Sequence, residues 1–213
     1  MTRPTATRLI IWRHGNTDWN RSDRVQGQFD APLNEQGRAQ ATEAAAVLAD
    51  LRPDAIVSSD LTRAVDTAAA LAAVTGLPVR YDERLRERHF GRWQGRTLAE
   101  ASAEFPEEFA RWRAGDPSPG CDIESQDDLA KRMGEAILAA VEGWPGGTVV
   151  VTTHGGSARQ GLAWLLGWAP DITRGIAGLG NCHWAELRQD GRDGAGWRMW
   201  AYNVGAVPGA ERR

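Results

Sequence analysis

The chain has 213 residues, enough for one α/β domain with a buried core. Its 42% hydrophobic and 25% charged content is that of an ordinary soluble globular protein, and a net charge of −3 argues against a nucleic-acid binder. Any positive potential must therefore be local, gathered in a site.

No apolar run approaches the roughly 20 residues needed to cross a bilayer, so no membrane partner is expected. Met1 to Arg8 is polar and has no apolar h-region, which predicts no signal peptide and a cytoplasmic location. Cys121 and Cys182 show no CxxC spacing, so they read as two buried free thiols rather than a zinc site or a disulfide framework. The ten tryptophans are scattered, which assigns them to core and pocket walls rather than to a repeat.

In chain order, Arg8–Trp12 (RLIIW) reads as a buried strand ending at a turn. Asn34 opens a long helical stretch with a cap-like side chain, and Pro53 follows its end. Ala55–Val57 is a second strand, followed by an alanine-rich helix over Leu61–Thr75 that Gly76 closes. Val79–Tyr81 is a third strand. Residues 98–114 read as helix interrupted at Pro106, and 116–122 (DPSPGCD) as a loop dense in turn residues. Ser125–Glu142 is helical, with acidic residues in its first turn. Thr148–Thr152 (TVVVT) is strongly strand-like and is followed by a helix to Leu166. His183–Leu187 and Trp197–Tyr202 read as an edge hairpin around a Gly-rich turn at 190–196.

Strands alternating with helices predict a three-layer α/β/α sandwich with a mostly parallel sheet and an antiparallel edge. No linker or internal repeat is visible, so residues 1–213 read as one domain. An exposed edge strand leaves homodimer formation open. In such sheets ligands bind at the carboxyl ends of the strands, and three polar turns fall there.

The first is Arg13-His14-Gly15 after strand one. A lone strand-end histidine is more often simply hydrogen-bonded. Here Gly15 permits close backbone approach and Arg13 offers a planar fork of donors suited to phosphate. The second is Ser58-Ser59-Asp60 with Arg63 in the first turn of the following helix, where it can add charge to a bound anion. The third is His154-Gly155-Gly156 after TVVVT. Glu87-Arg88-His89-Phe90 lies in a Gly- and aromatic-rich segment of the kind that can enclose a carboxyl group for general acid work. Two histidines could instead hold a metal. No carboxylate stands at ligand spacing, however, and the neighbouring arginines would repel a cation, so no metal or cofactor is expected. Two His, two Arg and one Glu are what phosphoryl transfer needs: a nucleophile, cations for the equatorial oxygens and an acid for the leaving oxygen.

These stretches resemble a known family. RHGNTDWN is similar to the signature RHG-x-T-x-W-N of the histidine phosphatase (phosphoglycerate mutase-like) superfamily. VQGQFDAPLNEQGRAQA, SSDLTRAVDTA, LRERHFGRWQG and VVVTTHGGSAR resemble its other motifs, in order, over nearly the whole chain. The resemblance implies a phosphoglycerate mutase-like fold and a metal-independent phosphatase acting on a small-molecule phosphate ester. It also implies roles. His14 would be the nucleophile, Arg13, Arg63 and His154 would hold phosphoryl oxygens with Asn20 in support, and Glu87 would protonate the leaving alcohol. Gln26, Gly27, Arg88, His89, Phe90 and Gly155 would line the substrate pocket. Asn16 stands where many members carry Glu or Gln, which bears on pocket polarity, and PGCDIES (residues 119–125) is longer than the family's PGGES-like turn.

GLGNCHWAEL and WRMWAYN, with SSDLTRAVDTA, are most similar to actinobacterial phosphatases of the glucosyl-3-phosphoglycerate type. Two other readings are a phosphoglycerate mutase and a non-catalytic phosphate-binding module. Mutases of the family close the pocket with an insertion before the second histidine and with a C-terminal tail, and both features are short here. Degenerate members lose a His or Arg position, whereas all are retained here.

Overall fold

The computed structural model describes residues 7–189 and 196–206. The elements are β1 (Thr7–Arg13), α1 (Asp18–Arg21), α2 (Glu35–Ala49), β2 (Ala55–Ser58), α3 (Thr62–Thr75), β3 (Val79–Tyr81), α4 (Leu98–Glu104), α5 (Pro106–Arg113), α6 (Gln126–Glu142), β4 (Thr148–Thr153), α7 (Gly155–Leu166), α8 (Pro170–Arg174), β5 (Trp184–Gln189) and β6 (Trp197–Val204). They form one six-stranded sheet ordered β3-β2-β4-β1-β5-β6. β1, β4, β2 and β3 run parallel, while β5 runs antiparallel to both β1 and β6. The predicted edge hairpin is therefore present, and its turn at 190–195 lies outside the described residues.

The apolar strands are buried on both faces. Leu9 and Ile11 of β1, with Val149 and Val151 of β4, pack against Leu129, Met133 and Ile137 of α6 and Leu162 of α7. Ile10, Trp12 and Val150 point the other way, onto Ala44 and Leu48 of α2 and Ala68 and Leu71 of α3. This alternation is the period-two direction of strand side chains. A run apolar at every position is what a central strand needs when helices cover both faces. A third, smaller core under α4 and α5 holds Trp93, Phe105, Cys121 and Ile123.

Helix ends follow local chemistry. The Asn34 side chain accepts from the Gly37 amide at 2.8 Å, and the Ser125 hydroxyl accepts from the Asp128 amide at 3.0 Å. Pro106 cannot continue α4, yet it suits the first position of α5, which produces the predicted interruption. Two short elements, α1 and α8, are not legible as helices in the sequence. α1 exists because Thr17 and Asn20 cap each other reciprocally across a single turn. The tryptophans divide more widely than expected. Trp12 and Trp93 are fully buried, but Trp200 on β6 is 63% exposed, with the Arg188 guanidinium 4.1 Å from its ring centroid. Both cysteines are free and buried.

The close backbone approach expected at Gly15 is made to α2: a Cβ there would lie 2.4 Å from the Gly37 carbonyl oxygen. A Cβ on Gly37 would reciprocally lie 2.1 Å from the Asn16 carbonyl oxygen. Asn34 N–H donates to the Asn16 carbonyl at 3.1 Å, and Asn16 N–H donates to Gln40 at 3.0 Å. The turn after β1 is thus clamped onto α2 at van der Waals limits. Gly37→Ala is expected to cost about 1–3 kcal/mol, as overpacking does, and to lower activity by displacing residues 14–16. Gly143→Ala, whose Cβ would meet nothing within 4 Å, is the control. Urea unfolding of both variants checks this, and equal stability would contradict the clamp.

Candidate active site

The carboxyl ends of β1, β2 and β4 bring His14, Ser59 and His154 to one edge of the sheet. The two imidazoles face each other with ring centroids 5.1 Å apart, and both are buried. A cleft of about 300 Å³ opens there, walled by Arg13, His14, Asn20, Arg63, Glu87 and the apolar Trp19, Phe90 and Trp112. A larger groove of about 410 Å³ between α6, α7 and α8 holds neither histidine. Chemistry rather than size marks the smaller one.

His14 Nδ1 lies 2.7 Å from the Gly15 carbonyl oxygen. A carbonyl only accepts, so Nδ1 carries the proton and Nε2 keeps its lone pair. Burial pushes the His14 pKa well below its ordinary value, and the Arg63 and Arg13 charges push it in the same direction. His154 is lowered by burial first, then by Arg63, His14 and Arg13. Both rings are neutral at physiological pH. His154 Nε2 lies 2.9 Å from the Ser59 hydroxyl, while its Nδ1 has no partner among the described residues.

Arg63 is fully buried, contrary to what its place in an exposed first turn would suggest by itself. Its two terminal nitrogens donate to the Phe29 and Gly27 carbonyls at 2.8 and 2.7 Å. Burial brings its pKa down to about 10, so it stays charged at pH 7. Arg13 donates to the Leu179 carbonyl at 2.6 Å and lies against Gly155, where a Cβ would come within 3.3 Å of its Cζ. The Nε of each arginine is buried without a partner among the described residues. Such donors suit an anion.

Glu87 is enclosed by the N-terminus of α7, not by the aromatic segment that follows it. Gly156 N–H donates to Oε2 at 3.0 Å, and Ser157 N–H donates to Oε1 at 2.9 Å. Arg88 N–H (2.8 Å) and the Ser157 hydroxyl (2.9 Å) also reach Oε1. The carboxylate therefore satisfies two amides that a helix start leaves free. A Cβ at Gly156 would lie 2.7 Å from Oε1, so only glycine leaves room for the carboxylate.

Gln26 and Gly27 line the cleft, as does Asn20, whose Oδ1 accepts from the Thr17 amide and from Asn181. Gln26 Oε1 is buried without a partner among the described residues. Arg88 and His89 are directed elsewhere. Arg88 donates to the Glu124 carbonyl at 2.7 Å and the Pro117 carbonyl at 3.1 Å, and the His89 ring lies 3.1 Å from the Asp122 carbonyl. Both belong to the 116–124 loop rather than to the cleft wall. Asn16 is likewise committed to bracing: it bonds Asn34 at 2.8 Å and Asn181 at 3.3 Å. Cys121 lies in the small third core.

Sequence reasoning missed the supports. Thr67 accepts from Gly15 N–H at 3.1 Å and donates to the Arg63 carbonyl at 2.7 Å, so it ties the turn after β1 to the start of α3. Asn181 donates to the His14 carbonyl at 3.1 Å. Ser157 and Arg132 act here too, on the Glu87 carboxylate and on the Glu87 carbonyl. Thr67 stands one helical turn after Arg63, a signal that could have been read; the others lie far away in sequence.

The model of the histidine phosphatase superfamily (branch 1) matches residues 9–204. The chain belongs to the histidine phosphatase superfamily. A glucosyl-3-phosphoglycerate phosphatase of Mycolicibacterium vanbaalenii is 40% identical to this histidine phosphatase, over 93% of this chain and 95% of its own. The solved mycobacterial glucosyl-3-phosphoglycerate phosphatase complexed with VO3 is 40% identical, with a TM-score of 0.84, over 92% of this chain and 98% of that one. A 2,3-bisphosphoglycerate-dependent phosphoglycerate mutase of Clavibacter michiganensis is 34% identical over 71% of this chain and 73% of its own. Among the described residues, no helix is long and apolar enough to cross a membrane.

The two neutral histidines make folding pH-dependent. Their folded pKa values lie below the unfolded value near 6.5, so below that pH the unfolded chain binds more protons than the native one. Their stability contribution is complete above about pH 6.5, and each ring then costs up to about 1.4 kcal/mol per pH unit as the pH falls. Urea unfolding at about pH 7 and about pH 5 should show a smaller acid loss in His154→Gln than in the parent. An identical loss would mean that His154 is not held neutral.

Proposed function

We propose that this histidine phosphatase is a phosphoric monoester hydrolase that passes the phosphoryl group through Nε2 of His14, without a metal. The observation that carries this reading is a buried, neutral His14 with a free Nε2, flanked by Arg13 and Arg63 in the cleft that also holds Glu87. Nε2 attacks phosphorus as the P–O ester bond breaks, and the leaving oxygen takes the proton of Glu87. Arg13, Arg63 and His154 Nδ1 hold the equatorial oxygens, and Asn20 steadies the turn beside them. Water then attacks phosphorus, the P–N bond breaks, phosphate leaves, and the water's proton returns to Glu87. Oε1 already meets three donors, so Oε2, which meets only Gly156 N–H, is the oxygen free to carry that proton.

Glucosyl-3-phosphoglycerate and related sugar phosphates are the proposed substrates. Relatives of that name at 40% identity support this. So does the wall of Trp19, Phe90 and Trp112, since aromatic faces accept the C–H face of a sugar ring. A mutase must keep water from its phosphohistidine. Here a 3-10 turn at Gly91–Trp93 and the helices α4, α5 and α6 stand between Glu87 and β4, and Leu98 on the cleft wall is 40% exposed. Residues 207–213, at the C-terminus, lie outside the described residues.

The test is phosphate release from glucosyl-3-phosphoglycerate and 3-phosphoglycerate, with interconversion of phosphoglycerates followed by an enolase-coupled assay. Phosphate release should dominate; faster mutase turnover would overturn the reading. His14→Ala should abolish turnover, and substantial residual activity would end the phosphohistidine route. Glu87→Gln should slow alkyl phosphates about 10²–10⁴-fold, the usual range for proton transfer. In kcat/KM, which ends at departure of the alcohol and omits the water step, para-nitrophenyl phosphate, whose leaving group needs no proton, should suffer far less. Chelator should leave activity unchanged, and loss restored by a divalent ion would argue for a metal.

A further inference from the structure

A guanidinium has five N–H donors, and Arg132 of α6 uses three on the segment that carries Glu87 and two on Glu124. Nη1 donates to the carbonyls of Arg84 and Arg86 at 2.7 and 2.8 Å. Nη2 donates to the Glu87 carbonyl at 3.0 Å and to Glu124 Oε2 at 2.8 Å. Nε donates to Glu124 Oε1 at 2.6 Å, which completes a bidentate ion pair. Glu124 continues the clamp beyond the acid: its Oε2 accepts from His89 N–H at 3.0 Å, and its carbonyl accepts from Arg88 Nε at 2.7 Å. The backbone is therefore gripped on both sides of Glu87; α7 holds the carboxylate and adds one backbone contact, from the Ser157 hydroxyl to the Arg86 carbonyl at 2.8 Å.

The elongated 119–125 loop delivers Glu124 to this place. Cys121 and Asp122 adopt left-handed backbone at φ 56° and 57°, and Ile123 is anchored in the third core. The Arg132 and Glu124 side chains are only 21% and 15% exposed, so the pair sits where its geometry is held and solvent screening is weak.

We propose that the Arg132–Glu124 pair is a positioning element for the acid step: it touches no reacting atom and sets where the Glu87 carboxyl stands relative to the leaving oxygen. This rests on Glu87 being the proton donor. A misplacement of about 1 Å can cost a catalytic group on the order of 10²-fold. Lysine cannot replace the arginine, because an ammonium has three donors and no planar fork.

The experiment is a double-mutant cycle of Arg132→Lys and Glu87→Gln, read as kcat/KM on 3-phosphoglycerate and on para-nitrophenyl phosphate because that ratio omits the water step both esters share, with thermal unfolding to confirm a folded protein. Arg132→Lys should lower kcat/KM on the alkyl ester about 10–10²-fold and on the nitrophenyl ester less than about threefold. In the Glu87→Gln background it should cost less than about threefold further, because the group it positions is gone. Glu124→Gln, which keeps shape and removes the ion pair, should give the same pattern more weakly, and it carries the test if Arg132→Lys does not fold. Equal losses on both esters, or an undiminished loss in the Glu87→Gln background, would overturn the inference. If Glu87→Gln alone slows both esters equally, the acid assignment falls, and this inference falls with it. If Glu87→Gln discriminates and Arg132→Lys does not, only this inference falls.

Discussion

Two guanidinium groups and two imidazoles share a desolvated pocket beside the Glu87 carboxylate, and much of the local structure answers that charge. Burial and mutual repulsion keep both rings neutral, which leaves His14 with a lone pair to offer at ordinary pH. The arginines cannot shed their protons, so backbone carbonyls take part of their hydrogen bonding: Gly27 and Phe29 for Arg63, Leu179 for Arg13. Carbonyl dipoles hold a guanidinium in place without neutralising it. The remaining positive charge is what a phosphate dianion would compensate.

The Glu87 carboxylate is kept apart from those arginines in hydrogen-bonding terms. No Arg13 or Arg63 nitrogen forms an ion pair with Glu87 among the described residues; its four donors are three backbone amides and the Ser157 hydroxyl. A direct salt bridge would have cancelled positive charge in the cleft and, on the proposed mechanism, tied up the proton carrier. Using the start of α7 instead serves both needs, because that helix must begin beside His154 in any case. Precision then falls to the support around the acid, where a second, self-neutralising Arg–Glu pair stands behind the site without adding to its net charge.

Much of the chemistry was legible in the sequence because it is local. His14, Arg63 and His154 sit one to five residues after strands whose apolar runs announce them, and parallel sheets gather such turns at one edge. The capped starts of α2 and α6, the break at Pro106 and the stop at Gly76 were readable for the same reason: each depends on atoms within a few residues. The directions of neighbouring side chains were not. Glu87, Arg88 and His89 are consecutive, yet the first enters the cleft and the other two turn to the 116–124 loop. Gly15 was readable as a point of close backbone approach, but α2 as its partner was not.

What the sequence determined by itself is therefore the kind of chemistry, the elements that carry it and the family, since residue type and short-range pattern encode all three. The tertiary structure alone decided which groups are buried, which are paired and which remain free. Pairing β1 with β4 joins Ile10 to Val150, and Arg132 reaches carbonyls some 45 residues back. No local pattern records such distant contacts. Protonation and alignment depend on them, because the energy of a charge is set by what surrounds it in space, not by what precedes it in the chain.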